Sequence, residues 1–472
     1  MNQLTLATKT RWWWAAAALM ALAAMGCGRA NQPAPGGSPS APLTAPAVTD
    51  EKPQPGGIFK YYNRDDPQGG FEPHIPGGRR DARRLHGMVD EYTVVAANET
   101  EYCQQILVPS LAEKWRFVND TTLQLDIRKG VKFQNRPPVN GRELTAEDVV
   151  WSYKRLFDRG ELKNMGKAIT SMEATDKNTV VIKLQEAMPT IGYEFLSYRS
   201  AVIIPKEAGG ASGDFSKPET LIGTGPFILK SYTPGVKAIY EKNPDYWKPG
   251  KPYVDGVEIA VMRDDATRAA ALRTGQLDFL DEVTAGEKAN FSQANPNLQW
   301  IKCEASSPYG IYMRNDKEPF NNVNVRRALS MSIDREAIVK GILKGEGNVS
   351  ALSPFYVKGA LKPADLPANI RNWVQYNPTE AKKLLAEAGY PNGLSLALEG
   401  TLAYGSPYNE MLQVLPVMMK TGGFDVSLKV VEQAEHQSTH TVGVYDKLSA
   451  SKMAYLEPID TNPLSNLRSG QN

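Results

Sequence analysis

Four histidines, His74, His86, His436 and His440, are the first side chains in this 472-residue chain to test for chemistry, since imidazole both carries protons near neutrality and ligates metals. His436 and His440 are spaced i, i+4, which on a helix turns both rings to one face and could hold a metal. No Glu follows His436 as a metalloprotease helix requires, and the surrounding residues are polar, so the pair reads as solvated surface. Lys420-Thr421-Gly422 together with Ser449-Ala450-Ser451-Lys452 has the residue types of serine acyl-enzymes that act on cell-wall peptides. Those enzymes need the Ser-x-x-Lys serine first and Lys-Thr-Gly afterwards on a strand; here the order is reversed and Lys420-Thr421-Gly422 reads as a helix end. An extracytoplasmic hydrolase is therefore the alternative rather than the leading reading. A phosphate loop, a dinucleotide fingerprint and a nucleophile elbow are all missing from the sequence. The expectation is a chain that is not an enzyme and uses no cofactor and no metal.

The elements that would position any site alternate in type. Residues 58–63, IFKYYN, read as a first strand, and Leu123, Leu125 and Ile127 alternate with polar residues in a half-buried one that Gly130 ends. Thr145 with Asp148 three residues on forms a capping-box-like start to a helix whose Val149, Val150, Tyr153, Leu156 and Phe157 share a face. The acids Glu143, Glu147 and Asp148 lie where a helix dipole already accounts for them, and the charges between Ile127 and Arg155 are expected on solvated faces. MEATDKNTVVIKL, residues 172–184, reads as a hairpin about Asp176-Lys177-Asn178. Val325, Ala328, Leu329, Ser332, Ile338 and Leu343 fall in a broken helical stripe, and Asn377-Pro378-Thr379-Glu380 is a helix start closed by Gly389. The fold class is α/β in at least two lobes.

Two basic residues, Lys9 and Arg11, precede the apolar run Trp12–Met25, which is too short to span a membrane and reads as a signal peptide over 1–26. The other basic residues then balance the 52 acidic ones, so a neutral chain gives no electrostatic case for nucleic acid. Residues 27–57 are rich in Pro, Gly, Ser and Ala and read as a disordered tether with an r.m.s. reach on the order of 30 Å. Cys103 and Cys303 are 200 residues apart; they could pair, and two buried thiols is the reading preferred.

Gly26-Cys27 resembles a bacterial lipobox, which implies cleavage before Cys27 and its acylation as a lipid anchor on the periplasmic or cell-surface side of a bacterial membrane. LAEKWRFVNDTTLQLDIRKGVKFQNRPPVNGRELTAEDVVWSYKRL, residues 111–156, resembles the signature region of the family 5 extracellular solute-binding proteins, the dipeptide/oligopeptide-binding components of ABC importers, with about five extra residues in its loop. GTGPFILKSY (223–232), NPDYW (243–247), LRTGQLDFL (272–280), FNNVNVRRALSMSIDREAIV (320–339) and NPTEAKKLLAEAGYPNG (377–393) follow in family order. The resemblance implies a two-lobed periplasmic-binding-protein fold of type II, with first lobe 58–85 and 190–285, extra subdomain 86–189 and second lobe 286–472, the usual C-terminal return to the first lobe missing. It implies a peptide or related small solute held in the interlobe cleft and passed to a membrane permease and ATPase complex. It also implies ligand-binding roles for Tyr309 or Tyr312, at most one of which faces the ligand, and for Lys452, Tyr455 and Glu457 or Asp460 as carboxylate partner, stacking ring and amine partner. Glu72-Pro73-His74 falls where relatives usually show Asp-Pro near the hinge.

Overall fold

The computed structural model describes residues 53–67, 70–74, 84–98, 105–159, 162–198, 200–281, 283–301, 309–349, 363–440 and 443–452. The expected signal peptide, most of the tether, Cys27, Cys103, Cys303, Tyr455, Glu457 and Asp460 lie outside the described residues.

The chain enters through β1 (Ile58–Asn63) and continues, after an irregular stretch, into β2 (Glu91–Tyr92), β3 (Val94–Asn98) and β4 (Gln105–Pro109). β5 (Ala112–Asn119) and β6 (Thr122–Ile127) follow, and in β6 Leu123, Leu125 and Ile127 are buried between half-exposed neighbours, as the period of two requires. Gly130 closes that strand at φ +74°, a backbone region that strains any residue with a Cβ. Helix α1 (Ala146–Arg159) begins as the cap predicts, with the Thr145 N–H and hydroxyl donating to Asp148 Oδ2 at 2.9 and 3.1 Å. Its Val149, Val150, Tyr153 and Leu156 are buried, each such side chain worth about 1.5–3 kcal/mol of burial. α2 (Lys163–Ala168) leads into β7 (Ile169–Asp176), which turns through Lys177-Asn178 into β8 (Thr179–Leu184). The four long strands form an antiparallel sheet in the order β5-β6-β8-β7. Its core continues past residue 189 and takes in Ile191, Phe195, Leu196 and Ile222, and the short β9 (Val202–Ile203) pairs with β2.

β10 (Phe227–Thr233), β11 (Lys237–Lys242) and β12 (Gly256–Val261) complete a second sheet of order β1-β12-β11-β10, in which β1 runs parallel to β12. The segment before β2 lies tightly against the start of β10. Gly225 and Phe227 donate from their backbones to the carbonyls of Val89 and Met88 at 2.7 and 3.0 Å, and a Cβ on Gly223 or Gly225 would lie 2.3 or 2.5 Å from the Val89 oxygen. Only glycine fits there, which accounts for the GTG of GTGPF. From the enlarged turn, Gln134 donates its N–H to Gly223 O at 3.0 Å and its amide to Phe227 O at 2.8 Å.

α3 (Asp265–Arg273) and α4 (Ala285–Ala294) precede the third large sheet. Its elements are β13 (Tyr309–Met313), α5 (Val323–Met331), α6 (Arg335–Gly341), α7 (Ala368–Val374), α8 (Pro378–Glu387), β14 (Leu394–Gly400), α9 (Tyr408–Thr421), β15 (Phe424–Val430), α10 (Gln433–His440) and β16 (Leu448–Lys452). The strand order is β13-β16-β14-β15, with β14 parallel to both neighbours and β13 antiparallel to β16 at an edge. The stripe from Val325 to Leu343 is not one helix but two, α5 and α6. Ser332 turns its hydroxyl back to Leu329 O at 2.7 Å and Asp334 accepts the Ala337 N–H at 2.9 Å, so each side chain offers the backbone a stop that competes with continuation. Asn377 caps α8 by accepting the Glu380 N–H, Gly389 closes it at φ +96°, and Lys420-Thr421 is the last turn of α9, as expected. This is the mixed α/β architecture anticipated, and among the described residues no helix is long and apolar enough to cross a membrane.

Candidate functional site

The outer edge of the third sheet gathers three of the anticipated site positions. Cross-strand register sets Tyr309 opposite Lys452 and Tyr312 opposite Ser449, so the tyrosines lie on opposite faces of β13, as a period of two demands. Tyr309 is 36% exposed, with its ring 5.4 Å from Tyr408, whose phenol donates to Ala450 O at 2.7 Å. Tyr312 is half-buried and stands edge-on to His440 at 4.4 Å. Lys452 closes β16, and the other three anticipated positions follow beyond the described residues. Of the two rings, Tyr309 is the one the fold leaves accessible at a strand edge. An open recess of about 330 Å³, lined by Ser395, Ala397, Asp425, Ser427, Asp446 and Lys447 among others, lies on the same sheet.

The His436/His440 pair is not solvated surface. His436 is fully buried, with Nε2 3.1 Å from Ala450 O, and its ring stacks on His440 at 5.1 Å and 8°. The face of the sheet beneath α10 carries Ser449 and Glu399, which give His440 and Thr439 partners without water. Burial pushes the His440 imidazole down to about 4 and lowers His436 as well, so both are neutral at pH 7. Ser449 is itself fully enclosed, and among the described residues no three metal-ligating side chains converge.

The acids and bases expected in water are also partly enclosed. Arg155 grips Glu72 with two bonds of 2.7 and 2.6 Å, both side chains being buried, and the neighbouring His74 holds Val202 O at 3.0 Å. Burial raises the Glu72 carboxyl, but the Arg155 bonds outweigh it and hold the group below its usual range. Arg142 pairs with Asp148 at 2.7 Å and also with Glu207, tying α1 and its preceding turn to the segment after β9. A polar stretch reads as solvated until its partners, 65 and 83 residues away in sequence, are known. Sequence reasoning missed Glu91 altogether. Its buried carboxylate accepts from Thr224, Tyr246 and Trp247 at 2.9, 2.9 and 2.6 Å, so GTGPF and NPDYW converge on one anion. Burial raises that carboxyl despite these bonds. The polar heads of the two motifs were the one available signal.

A family model described as bacterial extracellular solute-binding proteins, family 5 middle, matches residues 107–472. Heme-binding protein A of Haemophilus influenzae is 32% identical over 311 residues, which are 60% of this chain and 54% of that protein. Di/tripeptide-binding protein 1 of Pseudomonas aeruginosa is 27% identical over 359 residues, 68% and 62% of the two chains. The chain thus spans less than two thirds of the length of these relatives. In three dimensions it is similar to a periplasmic binding protein, DppA of Helicobacter pylori in complex with the peptide STSA, at TM-score 0.69 and 25% identity over 89% of this chain and 82% of that one.

Proposed function

Because this chain belongs to the family 5 bacterial extracellular solute-binding proteins, we propose that it captures a small solute, a peptide first of all, and delivers it to an ABC permease and its ATPase. The observation that carries the peptide reading is the edge strand β13, with Tyr309 accessible and Lys452 in register beside it. An edge strand offers a row of backbone donors and acceptors, which bind an extended peptide without reading its side chains. Tyr309 would stack on the ligand, and Lys452 with Tyr455 and Glu457 or Asp460 would hold its termini. Lobe closure over the solute would create the form the permease recognises. Relatives named for binding rather than catalysis support the non-enzymatic reading, and Ser449, enclosed between two imidazoles, has no room to attack a substrate.

Cys27 would carry the lipid and the tether would keep the folded part near the membrane surface, so Cys27→Ser should move the protein into the soluble fraction. Native mass spectrometry of the protein as purified, followed by thermal shift with di- and tripeptide pools, tests the main reading. Retained peptide or an upward shift is expected, and neither appearing with any pool would defeat it. Hemin forms a second arm, motivated by the 32% identity to a heme-binding relative. A shift with hemin alone would replace the peptide.

A further inference from the structure

The two rings of α10 form a cluster that solute capture does not use. His436 Nε2 faces the Ala450 carbonyl at 3.1 Å, which sets its hydrogen on that nitrogen and leaves Nδ1 a buried acceptor without a hydrogen-bond partner. Ser449 Oγ lies 3.4 Å from the same Nε2 and 3.2 Å from His440 Nδ1. With the His436 hydrogen already donated to Ala450, the Ser449 hydroxyl donates to His440 Nδ1, and both rings are neutral. Tyr312 of β13 presses edge-on against His440 at 4.4 Å. The pair therefore touches both strands at the outer edge of the sheet.

Adding a proton leaves both rings worse placed. On His436 the Nε2 bond to Ala450 survives, but the new N–H would occupy Nδ1, which faces no acceptor. On His440 it would occupy Nδ1, so the Ser449 oxygen would have to accept and its displaced hydrogen find a new partner in an enclosed site. Two imidazolium rings with centroids 5.1 Å apart would also repel one another. The facing groups give little relief. Glu399 of β14 is already engaged by Lys429 of β15 at 3.1 Å and by Thr439 at 3.0 Å, while Arg314 and Asp316, beside Tyr445, pair with each other at 2.6 Å. Tyr404, Tyr445 and Tyr312 pack on the rings as neutral phenols, Glu435 lies on α10 itself, and Asp446 and Lys447 lead into β16.

We infer that His436 and His440 form a proton-operated latch: neutral, they hold β16 and β13 against α10, and proton uptake releases this edge of the sheet. The inference goes beyond solute capture and needs no ligand, so a failed binding assay leaves it intact. Hydrogen exchange by mass spectrometry on the full chain at about pH 7.5 and about pH 4.5, corrected for intrinsic rates, reads it directly. Peptides covering 309–313 and 448–452 should lose protection by about tenfold or more relative to 122–127 at the lower pH, the factor one unit of pKa difference supplies. The double variant His436→Gln, His440→Asn can place an amide nitrogen where the Nε2 donor of His436 lies and an amide oxygen where the Nδ1 acceptor of His440 lies, without a titrating group, and should abolish that difference. Equal loss in all three peptides, or a variant that keeps the selective loss, overturns the latch. Should the double variant not fold, a histidine NMR titration of the unsubstituted chain decides, with His440 assigned through His440→Asn. A His440 midpoint below about 5 supports the latch, and one near the ordinary 6.5 overturns it.

Discussion

Between α1 and the segment after β1, Arg155 meets Glu72 as an ion pair with both side chains buried, whereas beneath α10 the buried polar groups are two uncharged rings. Both arrangements enclose polar atoms, but they fail differently. A buried ion pair is costly to break on one side, because the survivor keeps its charge in a poor solvent. A buried neutral imidazole is costly to charge, because its hydrogen bonds suit one protonation state. The first is vulnerable to mutation, and the second to pH.

Substituting one member of the ion pair is the most severe way to break this contrast. Arg155→Leu leaves Glu72 enclosed and unpaired and should cost about 3–5 kcal/mol in urea unfolding, with much of the loss recovered by adding Glu72→Leu. Acid should act next. His440 titrates near 4 in the folded chain against about 6.5 unfolded, so between those values the unfolded chain binds more protons and stability falls as pH falls. The loss is roughly 1–3 kcal/mol by pH 4, read as the difference between the parent and His440→Asn. Glu72, held below its ordinary value, contributes stability present above about 4.5 and lost only below it. Between pH 6.5 and 4.5 the histidines therefore act while this ion pair does not; His74, also depressed to about 4 by burial, adds to the fall and is left in place by the variant comparison. Tyr309→Ala should weaken peptide retention about tenfold, or roughly 1.4 kcal/mol, with little effect on stability. Tyr312→Ala should do the reverse, since its ring supports His440. Asp334→Ala should remove the cap of α6 for about 1 kcal/mol and test whether that helix depends on it.

Local signals carried much of the fold. The alternation in β6, the Thr145 and Asn377 helix starts and the Lys177-Asn178 turn each depend on neighbours within a few residues, and each is found where the sequence puts it. Readings that failed depended on distant partners. Gln433–His440 is polar by composition, and its histidines are buried by strands at Tyr312 and Ser449, the first more than 120 residues upstream. Arg155 is an ordinary helix residue until Glu72 arrives 83 positions away. The break in the stripe from Val325 to Leu343 is the division between α5 and α6, set locally by Ser332 and Asp334.

The glycine seam has a mechanical meaning. Where Gly225 and Phe227 are bonded to Val89 and Met88 and a methyl group would not fit, neither chain can slide past the other without losing several hydrogen bonds at once. Gln134 adds two more ties from the turn that follows β6. A displacement of the turn after β6 is therefore passed by Gln134 into β10 and, through the glycine contacts, into the segment before β2, so these three pieces move together.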